Sequence, residues 1–262
     1  MPFTAARNSR VHYEVDGQGP APALALVHGV GGDAEKVFGN VVGHFAGTRT
    51  VVRPNLSGSG ATEDGGAALT VDLLADQITA AVTDSSEGPV DLLGFSLGAV
   101  AAAAVAAARP ALVRRLVLVA GWTHSGGPRD NYYFETWRKL LATDRELLKR
   151  FSALTGFSAA TLDRFGHDGL AQSLADPWPP AGIVRQIDLA GQVDIRPQLP
   201  AITAPTLVVG FGGDAMIPVE GSRQLHEGIA GSRLVEIPGA GHMDWFADPA
   251  QLVKLTSDFL DG

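Results

Sequence analysis

Six short apolar runs, at residues 23–27, 50–53, 90–93, 116–120, 206–210 and 234–237, constrain this chain more than any other feature. Each is four or five residues long, rich in Val, Leu and Ala, with little polar alternation. Runs of that kind suit strands of a parallel sheet covered on both faces. Helical stretches at 34–45, 71–83, 96–108, 222–229 and 249–260 fall between or after them. The alternation predicts an α/β fold, a mostly parallel doubly wound sheet with right-handed crossovers. Residues 10–15 alternate and run into Asp16-Gly17, which predicts an antiparallel start at the sheet edge.

The rhythm stops between Trp122 and Gln198. No strand-like run occurs there, but helical pieces do, at 132–142, 144–154, 159–174 and 180–189. This stretch holds nine of the 18 aromatic residues. It reads as a helical cap, 122–198, inserted between a first core segment, 1–121, and a second, 199–262. Most of its aromatics are expected to form the cap's own small core, with Trp122 and Trp137 roofing a pocket.

Bulk properties exclude several function classes. A net charge of −8 argues against nucleic acid, whose phosphates demand a basic face. No Walker-type loop or zinc-helix spacing occurs, and the absence of cysteine removes disulfides and thiolate chemistry. No apolar run approaches the twenty residues of a membrane span, and residues 1–20 lack the apolar block of a signal peptide. The expectation is a cytoplasmic protein acting on a small molecule, without nucleic acid, membrane or cofactor, and with room for a homodimer.

The chemistry centres on Gly94-Phe95-Ser96-Leu97-Gly98, where a strand becomes a helix. A turn that sharp strains the serine backbone and leaves no room for bulk at either glycine. It lifts the hydroxyl to the carboxyl end of the sheet, beside the free N–H groups of a helix start. The competing role is a plain helix N-cap. A serine nucleophile needs a histidine base and an orienting carboxylate. His242 follows the run 234–237, and Asp214 follows the run 206–210. Asp244 and Asp248 lie too close to His242 in sequence to fold back behind its ring. Oxyanion donors are expected at the backbone N–H groups of Val30, in the loop His28-Gly29-Val30-Gly31-Gly32, and of Leu97. His28 is expected to brace that loop rather than do chemistry; His124, at the cap entrance, is a lesser candidate for a substrate contact. His12, His44, His167 and His226 read as ordinary surface or helical histidines. Phe95, Trp122, Trp137, Ile217 and Met243 are the expected pocket residues.

Five stretches together resemble the α/β-hydrolase superfamily, in its lid-bearing esterase and enol-lactonase-like branch: LVHGVGG at 26–32, PNLSGSGAT at 54–62, LLGFSLGAVAA at 92–102, ITAPTLVVGFGGDAMIP at 202–218 and IPGAGHMDWFADP at 237–249. The resemblance implies a serine hydrolase of a small, mainly apolar ester, lactone or thioester, acting through Ser96, Asp214 and His242. It leaves open a C–C bond hydrolase of a β-diketone-like substrate and a ligand-binding, receptor-like homologue with little turnover. One departure is Asn55, where the family often carries a bracing aspartate. Ser57 and Ser59 read as turn residues.

Overall fold

The computed structural model describes residues 2–175 and 177–262. The strands are β1 (Phe3–Ala6), β2 (Ser9–Asp16), β3 (Ala21–Val27), β4 (Arg49–Pro54), β5 (Glu63–Asp64), β6 (Val90–Phe95), β7 (Val113–Val119), β8 (Thr206–Phe211) and β9 (Arg233–Ile237). They form one sheet in the order β1-β2-β4-β3-β6-β7-β8-β9, with β5 beside β2. Neighbours from β4 through β9 are parallel, while β2 runs antiparallel to both β1 and β4. The antiparallel start is therefore present, but β1 is the outer strand. Its four residues are too short and too little patterned to stand out in sequence.

Helices α1 (Ala34–Phe38) and α2 (Val42–Phe45) follow β3, α3 (Val71–Ser85) precedes β6, and α4 (Leu97–Ala108) leaves it. The single helix expected over 34–45 is thus two short ones, the first ending at Gly39, whose N–H bonds Glu35 O. The insertion between β7 and β8 carries α5 (Pro128–Thr143), α6 (Arg145–Gly156), α7 (Ala159–Ala175) and α8 (Ile183–Ala190). Helix α7 bends at Gly166, where φ is +62°. The stems of the insertion pair with each other, Ser125 N–H to Val193 O and Ile195 N–H to Thr123 O, both at 2.8 Å. Helix α9 (Glu220–Gly228) follows β8, and α10 (Asp244–Ala247) and α11 (Ala250–Asp261) follow β9.

The two-residue period of a strand explains the layers. Ala25 and Val27 of β3 and Leu116 and Leu118 of β7 face α3 and α4. Leu24, Leu26, Val117 and Val119 face α1, α2 and α11 on the other side. Residues 97–106 of α4 are buried all round, which is why this helix reads as almost unbroken Ala and Val.

A buried ion cluster ties the sheet's opposite end: Asp91 accepts from Arg49 at 2.7 Å and Arg114 at 2.6 Å. No helix among the described residues is long and apolar enough to cross a membrane.

Candidate active site

Strands β3, β6, β7, β8 and β9 present their carboxyl ends side by side. The chain leaves β3 towards β4 and later returns to β6 on its other flank, so the sheet switches direction there, where open α/β sheets hold their ligands. Ser96 follows β6, the glycine-rich loop follows β3, and Asp214 and His242 follow β8 and β9.

Ser96 has φ +57° and ψ −123°, a conformation L-residues rarely adopt, and its side chain does not cap α4. The N-cap alternative is thereby removed. Its N–H donates to Val119 O at 2.8 Å, which holds the strained turn against β7. A Cβ on Gly98 would stand 2.2 Å from Val27 O, and one on Gly29 would stand 2.8 Å from Ser96 Cβ. The glycines let the turn, β3 and the following loop converge on one point.

Asp214 Oδ2 lies 2.5 Å from His242 Nδ1. Its other oxygen accepts the N–H groups of Met216 and Ile217 at 2.8 and 2.7 Å, so the carboxylate is held from both sides. Gly213 N–H donates to Ala240 O at 2.9 Å, locking the Asp214 loop to the His242 loop. The His242 ring packs on Phe95 with centroids 4.8 Å apart. Ser96 and His242 line one cavity of about 390 Å³. His242 makes its ring hydrogen bond to Asp214, and among the described residues Ser96 Oγ makes no cap bond to α4. Such nucleophile–base bonds commonly tighten only with substrate bound.

Donors in the glycine-rich loop are divided unequally. Gly31 N–H is taken by Gln186 Oε1 at 2.7 Å, and Gly32 N–H by Gly29 O at 3.3 Å. Among the described residues, no loop or cap hydrogen bond takes the N–H of Val30 or of Leu97. Val30 lines the cavity; Leu97 is buried at the first turn of α4, beside Ser96. His28 braces the loop as expected: Leu56 N–H donates to its Nε2 at 3.0 Å, so its Nδ1 carries the proton and donates to Gly29 O at 2.8 Å. Burial outweighs the bond to Gly29 O and the Asp33 charge and pushes the His28 pKa down.

The structure places Phe95, Trp122, Trp137, Ile217 and Met243 on the cavity wall. The expectation for the remaining aromatics needs correction. Six of the nine, adding Tyr133, Phe134, Phe157 and Trp178 to the two tryptophans, line the cavity rather than forming a separate core. The insertion is too thin to bury that many rings by itself, and the sheet's carboxyl end supplies the missing wall. Burial raises the Tyr133 pKa, and the nearby Asp214 charge adds to it, so the phenol stays neutral. His124 does not reach the cavity; it pairs with Asp194 across the stems of the insertion. His12 is no surface histidine either. It is buried in β2, 2.7 Å from Asn55 Nδ2.

Asn55 also accepts Ala34 N–H at 2.8 Å, so it braces the loops as a bracing aspartate would. Ser57 and Ser59 are turn residues held by Gln77 and Gln186. Asp244 lies away from the His242 ring. Its oxygens accept Gly241 N–H and Ser158 N–H, both at 2.9 Å. Burial alone would raise its pKa, but these bonds outweigh it and hold the carboxyl below its usual range. Met243 N–H donates to Gly156 O at 2.7 Å, so the insertion grips the His242 loop twice. Gln186 went unnoticed in sequence; its one signal is a lone polar residue on the apolar face formed by Ile183, Ile187 and Ala190.

The chain is 38% identical over 256 residues to a pyrrolizixenacetamide deacetylase of Xenorhabdus hominickii, covering 97% of this chain and 95% of that protein. It is 29% identical over 247 residues to a pimeloyl-[acyl-carrier protein] methyl ester esterase of Neisseria meningitidis serogroup A, covering 90% and 76%. Its fold superposes on the enol-lactonase of Burkholderia xenovorans LB400 with a TM-score of 0.88 and 23% identity over the whole of both chains. The model of the alpha/beta hydrolase fold family matches residues 22–249, and the chain belongs to that family.

Proposed function

We propose that this protein is a serine hydrolase that cleaves a small, mainly apolar carboxylic ester, lactone or thioester through an acyl-enzyme. The observation that carries the reading is the convergence of a strained, non-capping Ser96 and an Asp214-held His242 on one apolar cavity. Ser96 Oγ attacks the acyl carbon, and His242 Nε2 takes its proton. Asp214 fixes the tautomer and stabilises the imidazolium. The N–H groups of Val30 and Leu97 receive the oxyanion. His242 then protonates the leaving group, and water releases the acyl group by the reverse path.

The lining favours an apolar acyl part. Each methylene buried contributes about 0.8 kcal/mol, so kcat/KM should rise roughly fourfold per carbon until the cavity is full. A second reading, amide deacylation, is favoured by the 38% identical relative, a pyrrolizixenacetamide deacetylase. The same groups serve it, because His242 can protonate a departing amine.

A panel of chromogenic esters, lactones, thioesters and N-acetyl amides tests both readings. Ser96→Ala should fold and lose about three or more orders of magnitude in turnover. Undiminished turnover in that variant would sink the proposal. Faster turnover of amides than of matched esters would favour the second reading.

A further inference from the structure

The glycine-rich loop after β3 is held from the insertion, and by one side chain above all. Gln186 of α8 is buried, and its amide is fully committed. Oε1 accepts Gly31 N–H at 2.7 Å, and Nε2 donates to Ser57 O at 2.9 Å and Ser59 Oγ at 3.0 Å. A flipped amide would set donor against donor at Gly31 and acceptor against acceptor at Ser57, so the partners fix its orientation. Trp178 Nε1 donates to Gly31 O at 2.9 Å. Both polar groups of Gly31 are thus bonded to the insertion.

The packing is built to allow this approach. Gly31 sits at φ +70°, and a Cβ there would lie 2.7 Å from Ile183 Cδ1. A Cβ on Gly182 would lie 2.3 Å from Gly58 Cα. Within the loop, the His28 bond holds only Gly29 O, and the bond that spans Val30 and Gly31, from Gly32 N–H to Gly29 O, is long at 3.3 Å for a segment with three glycines in four residues.

We propose that Gln186 is a positioning residue for the oxyanion hole. The Gly31 N–H that it holds belongs to the peptide plane directly after Val30. Fixing that plane on one side of Val30 Cα restricts the direction of the Val30 N–H on the other, because only the two dihedrals of Val30 lie between them. The insertion therefore serves the reaction as well as forming the pocket. The inference rests on Ser96 being the nucleophile. Gln186 itself does not line the cavity; it acts through Gly31, which does.

The test separates aim from mere stability. A trifluoromethyl ketone adds reversibly to Ser96: the Oγ–C bond forms, the proton passes to His242, and the carbonyl π electrons become an oxyanion in the hole. The matching secondary alcohol fills the same cavity without forming an oxyanion. In Gln186→Met, kcat for a short chromogenic ester should fall about 10- to 100-fold, with KM changed less than threefold. Ketone affinity should fall by a factor similar to kcat/KM, and alcohol affinity should stay within twofold. Gln186→Glu keeps the acceptor for Gly31 but loses both donors, so it should be the less stable variant and yet retain more kcat than Gln186→Met. That inverted ranking is one a purely structural role would not give. Should Gln186→Met not fold, Gln186→Leu and Gln186→Ala, which also lack the acceptor for Gly31, carry the same two-inhibitor comparison. Unchanged kcat and ketone affinity in the folded variants, or equal loss of ketone and alcohol, would overturn the proposal. Wild-type protein that neither turns over esters nor takes up the ketone would instead overturn the nucleophile reading on which it stands.

Discussion

A Cβ on Gly94 would stand 2.2 Å from the carbonyl oxygen of Gly98, so the backbone of the glycine after Ser96 occupies the missing side-chain space of the glycine before it. The nearest atoms are backbone, not the tip of a flexible chain. Gly94→Ala should therefore push β6 and α4 apart, at a cost of about 3 kcal/mol. Soluble Gly94→Ala should melt well below wild type and retain less than about a hundredth of its ester turnover. A thermal melt and a turnover assay on one preparation check both; a wild-type melt with wild-type turnover would show that the turn tolerates bulk.

Two carboxylates near His242 have different partners and should fail differently. Asp214→Asn keeps an oxygen for the Met216 and Ile217 N–H groups but can turn an NH2 towards His242 Nδ1. That forces the wrong tautomer, and kcat should fall by about three to four orders of magnitude. Asp244→Asn loses part of the tie between the His242 loop and Ser158. It should cost less than about tenfold in kcat and register mainly in the melting temperature. Steady-state kinetics on the two variants decide; the opposite ranking would reassign the acid.

Acid should destabilise the fold in two stages. His28 has its pKa lowered from the usual 6.5, chiefly by burial. Below pH 6.5 the unfolded chain takes up a proton that the native ring refuses, so stability is lost as pH falls from that value towards the native pKa. The slope from this residue is at most about 1.4 kcal/mol per pH unit. Asp244, also lowered from its usual 3.8, holds its contribution above that value and loses it below. Urea titrations at pH 7.0 and 5.5 should show the first stage, and His28→Asn should flatten it. An equally steep dependence in His28→Asn would mean that another group carries the effect.

Asp91 makes the buried ion cluster at the amino end of β6, the far end of that strand from Ser96. Asp91→Leu leaves the buried Arg49 guanidinium, among the described residues, with only the exposed Asp261 as a carboxylate partner. A loss of about 3 kcal/mol follows, with kcat within about threefold of wild type. Denaturant unfolding and ester kinetics test this separation of stability from catalysis.

The central sheet was legible because each parallel strand, buried on both faces, writes itself as an apolar run. Ser96, Asp214 and His242 were legible because each directly follows such a run. What stayed hidden depends on partners distant in the chain. Gln186 meets Gly31 across 155 residues, and His12 meets Asn55 across 43, so neither carries a local pattern. Glu63–Asp64 pairs with β2 for only two residues, too few for any periodicity. The aromatic roof was misjudged for a related reason. Composition counts the rings, but only the placement of α5 over the sheet decides that Tyr133, Phe134 and Trp137 face a cavity.

The bonds from Gly156 and Ser158 to the His242 loop bear on how this enzyme can be re-engineered. A helical insertion between two strands invites treatment as an interchangeable module, to be swapped in a chimaera for a new substrate range. Here the module is wired into its host at both the histidine loop and the glycine-rich loop. A graft ending at the stems 123–125 and 193–195 would sever each connection and leave neither loop with its native partner. The smallest transplantable unit is the insertion together with residues 28–32, 55–59 and 239–244. Within the native frame, new specificity is better sought by exchanging single rings on the roof.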